Sequence, residues 1–433
     1  GMKIHGVPVV GVFHDVHHLL TKKRIEEVVI AATEISGEQV KDIVAQCKEQ
    51  NVVCRTIPKM SDLIDGTVSI KKIRDIELED LLGRETVKLD MEGIKSFIHK
   101  GNVLVTGAGG SIGAELCRQI SKLNPSKMVV LDKAETPLHE ITLELQQSRP
   151  KDGLFPVLMD LRNEKCLTSL FDQFKFDIIF HAAAYKHVPI LEHFPGEAVT
   201  NNILATKNLV DIAKNAGIGA FILVSTDKVV NPTNVMGVSK RICEMYIQEL
   251  NKESRCKYIT VRFGNVLESN GSVVPLFKRQ ILEGGPVTVT HPDVERYFMT
   301  IPEAVQLIIQ ASALGTGGEI FVLDMGKPIK IVDLARSLIN LSSYQKDDIK
   351  IVFTGLRPGE KLSEELYMDE DKMLPTKHNK IKIFKTHCPL NIKELEVAIS
   401  ELARFAEEGD IGKIITRFKE MVPEYQPSEV ASI

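Results

Sequence analysis

The sequence predicts an α/β fold: a doubly wound parallel sheet, a smaller C-terminal substrate-binding part, and a small α/β domain ahead of both. Three observations predict it. From residue 102 onward, short apolar runs alternate with helical patterns, as repeated βαβ units do. The segment NVLVTGAGGSIG (102–113) sets a glycine-rich turn between the first such strand and its helix. Beyond about residue 265 the alternation loosens and Pro and Gly become frequent, with GGP at 284–286, HPD at 291–293 and RPGEK at 357–361.

Composition sets the outer bounds. A chain of 433 residues is too long for one ordinary core and calls for two or three domains. Hydrophobic content of 43% and charged content of 26% are those of a soluble globular protein. A formal charge of −4 carries no basic excess, which argues against nucleic acid as the main partner. The seven cysteines are scattered without a CxxC pair or ligand spacing, so reduced thiols and no structural metal are expected. No apolar run approaches the roughly 20 residues of a membrane span, and no signal peptide is visible. Gly1 ahead of Met2 reads as an expression scar and the chain as a fragment of something longer.

In chain order, residues 1–72 read as a partial α/β domain. An apolar run at 7–12, a short helix at 16–20, a strand at 27–32, a helix capped by Ser36 and running to about 50, and a strand at 52–57 are expected. The unit has no phosphate turn, so an assembly role outweighs a regulatory nucleotide site. Residues 73–100 read as a linker with one short helix near 77–82. The catalytic domain is expected over 101–421, its cofactor part at 101–265 and its substrate part at 266–390. Strands are expected near 102–106, 127–131, 154–159, 177–181, 219–225 and 257–262. Helical periodicity returns at 302–313 and 331–341, and 392–421 reads as two amphipathic helices. Residues 422–433 are expected to fray.

The glycine turn points to a dinucleotide, on a Rossmann-type sheet. Gly107 lets the chain turn, Gly110 lets backbone approach a pyrophosphate, and Gly113 allows close packing. Ser111 and Ile112 open the helix whose N-terminus favours negative charge. Asp132 ends the next apolar run, about 20 residues on, where an acid holds the adenosine ribose of NAD. Asp160 and Leu161 end the third strand, near the expected adenine. Ala182 and Ala183 end the fourth, where small side chains admit the cofactor.

The fifth strand runs into LVSTDKVVNPTNVMGVSKR (223–241). Thr226, Asp227 and Lys228 sit at its carboxyl end. Met236 and Lys240 are four apart and share a helix face. A fixed positive charge at Lys240 lowers the pKa of a hydroxyl being oxidised.

TGAGGSIG, HAAAYKHVP, VSTDKVVNPTNVMGVSKR, RFGNVLESNGSV and RPGEKLSEEL together resemble the extended short-chain dehydrogenase/reductase superfamily. More narrowly they resemble the large, membrane-anchored bacterial nucleotide-sugar 4,6-dehydratases of polysaccharide biosynthesis, over about 100–370. Most of the superfamily has Tyr-x-x-x-Lys; this chain has Met236 at the tyrosine position, as the large dehydratases do. Thr226 is then the expected proton relay for O4, helped by Lys240.

The resemblance implies a bound NAD and three steps. Hydride leaves sugar C4, Lys228 takes the C5 proton while Asp227 protonates the departing C6 hydroxyl, and hydride returns at C6. It also implies substrate contacts from Lys186, His187 and Asn265. Arg296 and Arg357 are expected on the diphosphate and Glu360 on the uridine ribose. A surface ion pair at 227–228 and plain surface solvation of the arginines are the bland readings. The expected substrate is a UDP-N-acetylhexosamine, first UDP-N-acetylglucosamine. Rival readings are a C5-inverting dehydratase, a 4-epimerase and a non-catalytic NAD(H) sensor. A homo-oligomer on the cytoplasmic side is expected, held to the membrane through segments upstream of Met2.

Overall fold

Strands buried on both faces need apolar residues at every position, and the central runs supply them. In the computed structural model, Val103, Leu104 and Val105 are all fully buried, with Leu104 packing into one helical layer and Val103 and Val105 into the other. The structure describes all residues except 1, 23, 33–34, 58–72, 84–86, 149–152, 343–347, 368–372, 387 and 428–433. Parts of the expected linker and tail therefore lie outside the described residues.

Nine strands form the main sheet: β1 (Asn102–Thr106), β2 (Lys127–Asp132), β3 (Leu154–Leu158), β4 (Ile178–His181), β5 (Ala220–Val224), β6 (Lys257–Arg262), β7 (Ile320–Leu323), β8 (Met373–Pro375) and β9 (Ile381–Phe384). Their spatial order is β8-β9-β7-β6-β5-β4-β1-β2-β3. β1 to β7 are parallel, and β9 and β8 add antiparallel edges. The order reverses between β1 and β4, and ligands of open α/β sheets bind at such a switch point.

One helical layer holds α1 (Met91–Ile98), α2 (Ser111–Ser121), α3 (Glu135–Ser148) and the helix Ile301–Leu314, which packs on α1 and α2. The other holds Glu164–Gln173, Ala205–Ala216, Val235–Asn251 and the antiparallel closing pair Ile392–Glu408 and Ile411–Met421. A π-helical turn, Ala198–Leu204, leads into Ala205–Ala216.

Three expectations need correction. The linker contains a helix, Met91–Ile98, capped by Asp90 and burying Ile94 and Ile98; its apolar stripe is only two turns long, too short to stand out. The chain beyond 265 adds three strands to the main sheet, because four-residue runs such as Ile320–Leu323 carry little periodic signal. Residues 422–426 are docked: Val422 and Tyr425 are buried, and Gln426 N–H donates to Pro232 O at 3.0 Å.

The chain groups into two units that are not contiguous in sequence. The larger, Val87–Ser272 with Asp293–Ile329 and Gly355–Ile433, contains the main sheet. The smaller joins Gly1–Thr86 to Val273–Pro292 and Lys330–Thr354, two segments that the sequence reading assigned to the substrate part. In it, Glu27–Ile30 and Val53–Thr56 pair in parallel beside the helix Gly37–Glu49, which Ser36 caps by accepting from Gln39 N–H at 3.2 Å. Helix Ile331–Leu341 packs on Gly37–Glu49. Lys48 Nζ donates to the carbonyls of Ile339, Asn340 and Ser342 at 2.7, 3.0 and 3.2 Å, satisfying the end of that helix.

Candidate active site

A cleft follows the carboxyl ends of β1, β4 and β5 in the larger unit. It comprises two cavities of about 150 and 500 Å³ that share Gly107, Gly110, Ala182, Ala184 and Tyr185. Asp132, Asp160, Leu161 and Ala183 line the smaller; Ser111, Ile112, Gly113 and Lys240 line the larger.

The glycine turn is defined by backbone contact. Gly107 has φ +70°, and a Cβ there would lie 2.6 Å from Ala183 N. A Cβ on Gly113 would lie 1.9 Å from Gly107 O, so this glycine packs α2 onto the turn itself. Gly110 begins the helix and would meet only Gly107 O, at 3.2 Å, leaving an open side. Asp132 has a further task that the sequence did not reveal. Its Oδ2 accepts from Gly109 N–H and its Oδ1 from Ala134 N–H, both at 2.9 Å, so the carboxylate ties β2 to the turn. Asp160 is paired with Arg162 at 2.7 Å, whose guanidinium holds the carboxyl below its usual range. These residues fit a dinucleotide: a bare helix N-terminus, a carboxylate with lone pairs to spare, and small side chains on the opposite wall.

At the wider end the chain after β5 makes a short 3₁₀ turn, Asp227–Val229. Thr226 and Lys228 face the cavity, and Asp227 is enclosed behind them with only 1% of its surface exposed. Thr226 Oγ1 donates to Asp227 Oδ1, and Lys228 Nζ donates to the same oxygen, both at 2.9 Å. Asp227 Oδ2 has no hydrogen-bond partner among the described residues. Lys228 Nζ also donates to Asn265 Oδ1 at 3.1 Å. Burial works against its ammonium, but the charges of Asp227 and Glu364 outweigh it and hold Lys228 above its ordinary pKa.

Met236 and Lys240 both line the cavity, one turn apart on Val235–Asn251. Gly237 makes this possible: a Cβ there would lie 2.1 Å from Lys228 O, so the helix backs directly onto the 3₁₀ turn. Burial holds Lys240 below its ordinary pKa, with Cys243 and Glu244 opposing. Thr226 Oγ1 is bonded to Asp227, and Thr226 and Lys240 line the same cavity. Behind the wall, Glu244 accepts from Ser225 Oγ at 2.7 Å and from Arg262 at 2.8 and 2.6 Å.

Lys186 and His187 also line the cavity. Surrounding protein holds Lys186 below its ordinary pKa, and burial followed by the Lys186 charge does the same for His187. Asn202 fixes the loop that carries them: its Oδ1 accepts from Tyr185 N–H at 2.8 Å, and its Nδ2 donates to Tyr185 O and Ser239 Oγ, each at 3.0 Å.

The remaining expected substrate contacts are placed differently. Arg296 donates to the carbonyls of Glu295, Lys361 and Leu362 and to Glu360 Oε1, leaving no free fork for a diphosphate. Glu360 Oε2 accepts from Arg357 N–H at 3.1 Å and closes the RPGEK turn. Arg357 is exposed, and neither it nor Glu360 lines the two cavities. Sequence reasoning missed Glu364, a buried carboxylate 3.6 Å from Lys228 Nζ and 3.7 Å from Arg296 Nε. It also missed Gly237 and Asn202, whose partners are distant or have no motif.

Comparison with known proteins decides the family. Residues 103–386 match the model of the polysaccharide biosynthesis protein family. The chain belongs to that family. It is 45% identical over 414 residues to the capsular polysaccharide biosynthesis protein CapD of Staphylococcus aureus, covering 95% of this chain and 69% of CapD. It is 47% identical over 366 residues to the probable polysaccharide biosynthesis protein EpsC of Bacillus subtilis, covering 84% of this chain and 61% of EpsC. Among solved structures, the dTDP-glucose 4,6-dehydratase DesIV of Streptomyces venezuelae, with NAD and TYD bound, aligns with TM-score 0.56 at 20% identity, covering 73% of this chain and 99% of DesIV. That likeness establishes a shared Rossmann-type fold. Among the described residues, no helix is long and apolar enough to cross a membrane.

Proposed function

We propose that this family member catalyses NAD-dependent 4,6-dehydration of a UDP-N-acetylhexosamine, with UDP-N-acetylglucosamine the first candidate, for a surface polysaccharide. The observation that carries the reading is the hydrogen-bonded Asp227–Lys228 pair on the wall of the cleft that the glycine turn opens. Oxidation and return of hydride at one carbon need no such pair; an elimination needs an acid and a base together.

The cofactor is NAD, held by the 107–113 turn, Asp132 and the small residues 182–183. When bound, NAD supplies the reversible hydride acceptor for C4 and C6. Lys240 contributes a fixed charge near the hydroxyl being oxidised, and Met236 contributes an apolar wall.

Lys228 is held protonated in the resting pair, so elimination begins with a proton passing along the 2.9 Å bond to Asp227. Neutral Lys228 then takes the C5 proton, which a 4-keto group has made acidic. Asp227 gives up its proton through the Thr226 hydroxyl, to which it is bonded, and the C6 hydroxyl departs as water. The pair returns to its starting charges. Lys228 can then return its proton to C5 as hydride reaches C6, and the proton given up by the C4 hydroxyl on its oxidation, passed through solvent, restores the Lys228 ammonium.

The test is to incubate the purified protein with UDP-N-acetylglucosamine and weigh the product. A product lighter by one water supports the reading. A product of unchanged mass would point to epimerisation, and unchanged substrate with NAD retained would point to a sensor or to another sugar.

A further inference from the structure

The loop at 357–366 is held on two sides. Thr233 Oγ1 and Asn234 Nδ2 both donate to Gly359 O at 3.2 Å, and Asn231 Nδ2 donates to Glu365 Oε2 at 2.6 Å. Lys361 Nζ donates to Val230 O at 3.2 Å. On the other side Arg296 takes the carbonyls of Lys361 and Leu362, and Ser363 Oγ donates to Glu295 Oε1 at 2.8 Å. Gly359, at φ +76°, allows the close approach, since a Cβ there would lie 2.8 Å from Asn234 Cβ. The result of this anchoring is that Glu364 points inward, with 5% of its surface exposed, between Lys228 and Arg296.

We infer that Glu364 is a positioning residue that acts through Lys228, setting how tightly the active-site ammonium holds its proton, with Arg296 as the counterweight that limits the effect. The inference deepens the dehydratase reading and rests on it for its catalytic meaning. The geometry is specific: one buried carboxylate meets both cations, so neutralising it alters Lys228 without removing a group that faces the sugar. Glu364 lines neither cavity.

The groups facing Lys228 are few. Asp227 comes from its own turn, Glu364 from the loop and Arg296 from behind the loop; the two carboxylates raise the proton affinity of Lys228 and Arg296 lowers it. Asn265 is a neutral acceptor. Tyr297 adjoins Asp227, its phenol held up first by burial, and Lys186, His187 and Lys240 line the same cavity.

The experiment is a pH titration of the full chain carrying ¹³C-labelled lysine, following the Lys228 ε-carbon by NMR. The signal is assigned by its loss in Lys228→Met. The wild type is expected to titrate above the ordinary lysine range. Glu364→Gln is expected to bring the midpoint down by about one pH unit, the scale set by an opposite charge at this distance. Glu364→Asp should restore much of the difference. The alkaline limb of kcat/KM should move to lower pH in parallel, because the working pair must keep one proton.

An unchanged midpoint in a folded Glu364→Gln protein would overturn the inference. So would a loss of rate with no movement of the pH limb, which is the mark of a merely structural role. A shifted midpoint in a protein that dehydrates no sugar would uphold the role of Glu364 and sink the dehydratase reading instead.

Discussion

At the narrow end of the cleft, and where it joins the wider cavity, the working surface is backbone: Gly107, Gly110 and Gly113 clear the space, and Asp132 ties two amides in place. At the wide end it is charge: Lys228 lines the cavity, and Asp227, Glu364 and Arg296 stand behind it in a cluster drawn from the turn after β5, the segment at 296 and the loop at 364. The difference teaches where each end is vulnerable. The backbone end fails by steric overlap, which no neighbouring side chain can relieve. On the proposed mechanism the charged end fails by altered proton affinity.

The sharpest way to break this contrast is at Gly113. Gly113→Val places carbon where Gly107 O already stands, so NAD should be absent from the purified protein and activity should vanish. Gly110→Ala, on the open side, should fold normally and only weaken retention of NAD. Cofactor released on denaturation, read by absorbance, checks both; full NAD in Gly113→Val would refute the steric account.

At the charged end, Lys228→Met should keep its NAD and lose about 10³-fold in kcat, within the range for removal of a general base. Initial rates on the nucleotide sugar measure it, and a loss under tenfold would mean that another group takes the C5 proton.

A third prediction concerns the seam between the two ends. His181, on β4, lies between the hydroxyls of Thr106 and Thr206 at 2.7 and 2.8 Å, and burial pushes its pKa down to about 3 from 6.5. The unfolded chain therefore binds this proton more readily. The stability contributed is whole above pH 6.5 and is lost progressively toward pH 3, up to roughly 5 kcal/mol. Denaturant titrations at a series of pH values should show His181→Gln with a flatter acid slope than the wild type. An identical slope would mean that His181 is not held neutral.

The smallest effect is expected at Met236, which carries no proton. Met236→Leu preserves volume and polarity and should leave kcat within about threefold. A collapse of the rate would assign Met236 more than a packing role.

Much of the narrow end was legible in the sequence, because glycine spacing and a strand-ending acid record local backbone requirements. The strand-end cluster 226–228 and the Met236/Lys240 pair were legible for the same local reason. Glu364 was not, because its partner lies far back in the chain and only the folded loop brings them together. Arg296 was read for a guanidinium fork that would grip a diphosphate, and the carbonyls that consume its donors become visible only in the fold. The helix Met91–Ile98 and strand Ile320–Leu323 escaped because each is too short for periodicity to separate it from its surroundings. The recruitment of 330–354 to the smaller unit depends on helix Ile331–Leu341 meeting Gly37–Glu49, a pairing no local pattern encodes.

The most direct test of the central claim, that Asp227 and Lys228 perform an elimination across C5 and C6, is proton NMR of UDP-N-acetylglucosamine with the protein in deuterated water. The account predicts a new C6 methyl signal, collapsed by deuterium at C5, beside a 4-keto or hydrated sugar. A C4 epimer with its C5 proton intact, or a substrate left untouched by protein that retains NAD, would contradict it.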